Sequence, residues 1–256
     1  MKKIDFKVAG KTYSHPLPEN WEETSPEQFL RMAAHAAQGD TASVAMALLQ
    51  PEPEVMAALK PADWWALSRE VEWATDLDAL TRQPLDTVAL PGGTVLIGWS
   101  GDFGGVTWEE FIFADTYAER HRWDVVLAAL WRPANPDWDG ESDQRIPFST
   151  YGTERRLELT KDLPREWLDA VEVAYLTLRK HLTDRFPRLF NTKEEIGEEQ
   201  PPEPGRPRRK PKPGWMEVTR NLMADNFYEE RKYMQLPAAS VLFQLHRMIE
   251  QSRRRK

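Results

Sequence analysis

The chain of 256 residues contains no cysteine. Disulfides, thiolate nucleophiles, zinc–sulfur sites and iron–sulfur clusters are therefore excluded from its chemistry, and the chain fits a reducing compartment. It also lacks any apolar run near the roughly 20 residues of a membrane-spanning helix, so no membrane is expected as a partner. The opening Met1-Lys2-Lys3-Ile4-Asp5-Phe6 meets an aspartate before an apolar stretch can form, which is not a secretory pattern. A cytoplasmic product is the expectation. Histidine is sparse: His15, His35, His121, His181 and His246 form neither an HExxH motif nor a close pair, which removes the usual support for a metal hydrolase.

Basic charge is the minority, 34 Lys and Arg against 41 Asp and Glu, for a net of −7. A surface of that sign repels phosphate at long range and argues against nucleic acid as a general partner. What the chain does have is 41% hydrophobic and 11% aromatic residues, enough for a buried core.

Charge and proline content divide the chain. Asn191 to Gly214 reads NTKEEIGEEQPPEPGRPRRKPKPG, with six prolines, three glycines and one aliphatic residue, Ile196. Such a stretch cannot bury enough surface to order itself and reads as a disordered linker. It separates an acidic body, residues 1–190 at −11, from a basic tail, residues 215–256 at +3.

In the body, Lys3–Val8 and Lys11–Ser14 alternate around Ala9-Gly10 as a hairpin. Ser25-Pro26-Glu27-Gln28 is a capping box with proline at the first helical position, opening a helix to about Gln38. Helices are expected at Thr41–Leu49 and Pro61–Thr81, a second strand pair at 87–90 and 94–99, and a helix from the capping box Thr107-Trp108-Glu109-Glu110. Trp123–Trp131 continues as helix, and Trp167, Val171, Ala174, Leu178 and Leu182 mark the clearest amphipathic helix. The tail reads as a pair, Trp215–Tyr233 and Ala238–Arg254, broken at Pro237. The fold class is α+β, mainly α: a helical body with small antiparallel β elements, followed after the linker by a C-terminal helical hairpin.

The candidate chemistry is thin. Asp102-Phe103-Gly104 matches a kinase tripeptide, but no HRD motif or glycine-rich phosphate loop accompanies it. Asp137, Asp139 and Asp143 in DWDGESD offer hard oxygen ligands, although Gly140 does not fall where a calcium loop needs its glycine. A metal-dependent hydrolase using this loop with a histidine such as His121 is one alternative, and a nucleic-acid-associated protein using the basic C-terminus is another. The pairs Glu22-Glu23 and Glu109-Glu110 sit beside tryptophan, which would raise a carboxyl pKa, yet both lie at helix starts, where acids complement the dipole. No catalytic centre and no cofactor motif emerges. Eleven tryptophans invite the reading that some face a partner. The tail stripe of Trp215, Leu222, Val241, Leu245 and Ile249 has the spacing of an amphipathic helix that packs either on the body or on a partner.

Three phrases carry a resemblance. Leu17-Pro-Glu-Asn-Trp-Glu-Glu-Thr24 with Glu27-Gln-Phe-Leu30, the helix Thr107-Trp-Glu-Glu-Phe-Ile-Phe-Ala-Asp-Thr-Tyr117, and Leu127-Ala-Ala-Leu-Trp-Arg-Pro133 with Arg145-Ile-Pro-Phe148 resemble the tail assembly chaperones of tailed phages and prophages. The resemblance implies a non-enzymatic protein of the host cytoplasm, or of the virion, that binds the tape-measure protein or another tail component during tail assembly, with self-association a further option. It implies no catalytic residue. The chain's size and Pro-rich linker depart from the compact members of that family.

Overall fold

The computed structural model describes residues 1–90, 93–101, 103, 105–141, 143–190, 214–222 and 227–254. The expected linker at 191–213 thus lies outside the described residues. The described residues are mainly helical with two small antiparallel sheets, the class the sequence indicates.

Strands β1 (Lys2–Val8) and β2 (Lys11–Leu17) pair from Lys2↔Leu17 to Val8↔Lys11. The two turn residues, Ala9 and Gly10, both have positive φ, 50° and 81°. That turn matches the right-handed twist of the flanking strands. Helix α1 (Pro26–Ala37) begins with the expected capping box, Ser25 accepting from the Gln28 amide and Gln28 from the Ser25 amide. Helices α2 (Thr41–Leu49), α3 (Pro53–Ala58) and α4 (Pro61–Glu70) follow.

The helix expected at Pro61–Thr81 stops at Glu70 and continues as two 3₁₀ turns, Glu72–Thr75 and Leu77–Ala79. The apolar spacing explains the change. Val71, Ala74, Leu77 and Leu80 recur every third residue, so a helix of three residues per turn places all four on the core side, where an α-helix would rotate them away.

Strands β3 (Thr87–Ala89) and β4 (Val95–Ile97) form the expected pair, and β5 (Arg132–Pro133) adds to β4 through Leu96↔Pro133 and Ile97↔Arg132. The sequence reads this last segment only as a helix end. Proline biases the residue before it toward extended backbone and suits an edge strand, so the exit from a helix becomes a sheet edge.

Helices α5 (Trp108–Ala118) and α6 (Trp123–Leu130) form the centre. Every residue of α6 except Asp124 is buried, as an all-apolar helix requires. Helix α7 (Thr150–Thr160) is not anticipated from the sequence, because TYGTERRLELT is polar and carries a glycine in its first turn. Helix α8 (Arg165–Arg185) packs on α1 and α6, and the short α9 (Pro187–Phe190) ends the body.

After the undescribed stretch come α10 (Trp215–Leu222), α11 (Phe227–Met234) and α12 (Ala238–Arg254). They do not form a separate core. Met234, Ala238, Val241, Leu242 and Leu245 belong to the same hydrophobic cluster as Leu17, Trp108 and Leu178. The Trp108 amide donates to the Leu236 carbonyl at 2.8 Å and the Ala238 amide to the Val106 carbonyl at 2.9 Å, a short bridge that ties the tail to the start of α5. The compositional boundary is therefore not a packing boundary. No helix among the described residues is long and apolar enough to cross a membrane.

Candidate partner-binding groove

Helix α5 presents two stripes. Its inner one, Trp108, Phe111, Ala114, Asp115 and Ala118, is buried. Its outer one, Glu109, Ile112, Phe113, Thr116 and Tyr117, continues to Arg120 and forms the floor of a groove of about 870 Å³. Phe148, Ser149 and Thr150 close one side, and Met216, Glu230, Arg231, Met234 and Gln235 of the C-terminal helices make the opposite wall. Phe113 holds the floor together, its ring 4.8 Å from Tyr117 and 5.4 Å from Phe148, while the Arg120 guanidinium lies 5.7 Å from the Tyr117 ring. Apolar aromatic surface rimmed by charges of both signs, with adaptable methionines in the wall, suits a protein segment more than a small polar substrate.

The far wall is fixed to α5 through Asp115, whose carboxylate is almost fully buried. It accepts from the Trp215 indole at 2.8 Å, from the Tyr175 hydroxyl at 3.2 Å and from Arg179, whose Nη2 stands at 3.2 Å and whose Nε is closer. Burial drives the Tyr175 hydroxyl well above its ordinary pKa, so it stays a donor, and the Asp115 charge acts in the same direction. For Arg179, burial works against the cation but is outweighed by the hydrogen bond and charge of Asp115, so its pKa is raised. A second indole bond, from Trp108 to the Thr219 hydroxyl at 2.8 Å, locks the next turn of α10. Around these bonds Trp215 meets Trp108, Phe111 and Phe190 at ring separations of 5.3–5.9 Å.

Behind the groove lies a buried charged cluster. Glu110, the capping residue of α5, faces Arg132 at 2.8 Å and Arg145 at 3.6 Å, and Asp143 binds both guanidinium groups at 2.8 Å. The contact between Arg132 and Glu110 is an ion pair by distance; the geometry of a hydrogen bond is missing. Arg156 donates to the Ala128 carbonyl at 2.6 Å and forms no ion pair among the described residues; burial, with repulsion from Arg132, outweighs the Glu110 charge and lowers its pKa to about 10. Glu110, Arg132, Asp143 and Arg145 thus tie α5, β5 and the acidic loop together, and Arg156 ties α7 to α6.

The acidic loop is tied into this cluster. Asp143 is engaged by Arg132 and Arg145, while Asp139 accepts from the Glu141 amide at 3.0 Å and the Asp137 amide donates to the Asn135 side chain at 3.1 Å, both local turn contacts. Among the described residues no group of three or more His, Cys, Asp or Glu side chains is placed to hold a metal ion. His121 occupies the turn between α5 and α6 at φ 55°, edge-on to Trp123. Phe103, at φ 70°, is a core residue stacked on Trp99, and its neighbours Asp102 and Gly104 lie outside the described residues.

The tail stripe, expected to pack either on the body or on a partner, is placed as follows. Val241 and Leu245 are buried in the chain's own core, Trp215 is half-buried in the Asp115 contact, and Ile249 is partly covered. Leu222 ends α10, with its side chain outside the described residues. An i, i+4 stripe has one signature whether it meets its own body or another molecule, so spacing could not separate the two. Of the tryptophans, Trp65 and Trp138 are substantially exposed, and the rest are buried or half-buried. Groove residues that the sequence did not single out include Arg120, Met216, Arg231, Met234 and Gln235. The signal available for the floor was the second stripe of α5, because a helix apolar on two faces is covered on two faces. Compared with family models, curated proteins and solved structures, the chain matches none.

Proposed function

We propose that this chain is a non-enzymatic phage or prophage tail assembly protein, which holds an apolar helix of a tape-measure or tail-tube component in the α5 groove during tail morphogenesis. One observation carries the reading: the segment 107–117, which resembles the central helix of the tail assembly chaperones, is the floor of the groove, with Phe113 and Tyr117 turned outward into it. A long helix with apolar stripes is prone to aggregate until tube subunits surround it, and a groove of aromatic and methionine side chains covers such a stripe without requiring one sequence. The buried backing of α5 supports this role by fixing the floor before a partner arrives. The protein would act in the bacterial cytoplasm during assembly, or remain in the particle.

The test is binding of the purified full chain to overlapping peptides that tile a phage tape-measure protein, followed by fluorescence anisotropy. Helix-forming peptides should bind, and Phe113→Asp, verified as folded by circular dichroism, should weaken them at least about tenfold, or ~1.4 kcal/mol. Absence of binding across the tiled sequence, or binding indifferent to Phe113→Asp, would overturn the proposal.

A further inference from the structure

Glu109 differs from its neighbour Glu110 in where its charge goes. Glu110 turns inward to the Thr107 amide, Arg132 and Arg145. Glu109 turns outward and lines the groove, half-buried, with its carboxylate accepting from the neutral Gln235 amide at 3.2 Å. Among the described residues Gln235 is its one hydrogen-bond donor, and a cation brought to a carboxylate partly stripped of water gains more than one brought to a fully hydrated acid. Among the charged groups around it, Glu110 repels it and Arg231, on the opposite wall, attracts it. The opposite end of the floor carries Arg120, in the turn just past the end of α5 at Ala118. The apolar floor of Ile112, Phe113 and Tyr117 thus lies between Glu109 and Arg120.

We infer that the occupant of the groove is an amphipathic helix whose apolar stripe ends in a lysine or arginine, and that Glu109 receives that cation. This rests on the groove reading above and adds the partner's chemistry and its direction along α5. Partial burial, reinforced by the Glu110 charge and opposed by Arg231, holds the Glu109 carboxyl above its ordinary range. A raised carboxyl costs the folded state stability once it ionises, so Glu109→Gln should leave the thermal midpoint unchanged or higher at neutral pH.

The experiment uses the full chain and two synthetic amphipathic helices with identical leucine stripes, one ending in lysine and the other in glutamine. Wild type should prefer the lysine peptide by about tenfold, and Glu109→Gln should abolish that preference while still binding the glutamine peptide. If both peptides bind and the preference is absent, or survives in Glu109→Gln, the role of Glu109 is overturned and the groove stands. If neither binds, or binding ignores Phe113→Asp, the groove itself fails and this inference with it.

Discussion

A carboxylate that loses nearly all its water must recover those interactions from the protein, and Asp115 recovers them from Arg179, Tyr175 and Trp215. Asp115→Asn keeps the shape and removes the charge, leaving Arg179 without its counter-ion. The expected loss is ~3–5 kcal/mol in urea unfolding, with Trp215 fluorescence shifted toward that of exposed indole. A loss below ~1 kcal/mol would show that Arg179 behaves as a surface charge. Asp143 makes a pH prediction. Burial alone would raise its pKa, but the Arg145 hydrogen bond and charge, with Arg132, hold it below the ordinary aspartate range. The unfolded chain then binds the proton more readily, so this contribution is present above the unfolded value of about 3.9 and is lost as pH falls through the lower folded value. Asp143→Asn should flatten the acid limb of a stability–pH profile and lower stability at neutral pH.

At the level of elements, α5 is held by a capping box at its start, by the backbone bridge to 236–238 beside it, and by aromatic contacts along its inner stripe. The small sheet next to it depends on Gly98. A Cβ there would lie 2.7 Å from the Leu85 carbonyl and 2.8 Å from the Trp131 indole nitrogen, the two atoms that form a 2.9 Å hydrogen bond. Gly98→Ala must therefore displace that bond and is expected to cost ~1–3 kcal/mol, read by thermal unfolding and by Trp131 emission. An unchanged midpoint would show that the strand end can shift away from Trp131.

Over the whole molecule, a single hydrophobic cluster runs from Leu17 to Leu245, so body and C-terminal helices should unfold together. Removing residues 215–256 uncovers Trp108 and Phe111 and takes the Trp215 donor from Asp115. The truncated chain is expected to bind a hydrophobic dye and to melt at lower temperature than the full chain. A truncation that melts like the full chain, without dye binding, would show that the C-terminal helices are an appendage.

The sequence by itself determined the features that depend on near neighbours. The capping boxes at Ser25 and Thr107, the Ala9-Gly10 turn and the stripe of α8 were legible because each follows from residues within a few positions of one another. The helix break at Glu70 was also written locally, in a three-residue period. What only the tertiary structure decided were matters of distant partnership. Asp115 and Trp215 lie one hundred residues apart, Asp143 found arginines where the loop suggested a cation, and the tail stripe met its own body. Glu109 and Glu110 are adjacent and chemically identical, yet one faces the core and the other the groove. Helix geometry separates neighbouring side chains by about 100°, and only the packing of the remaining elements decides which direction is inside.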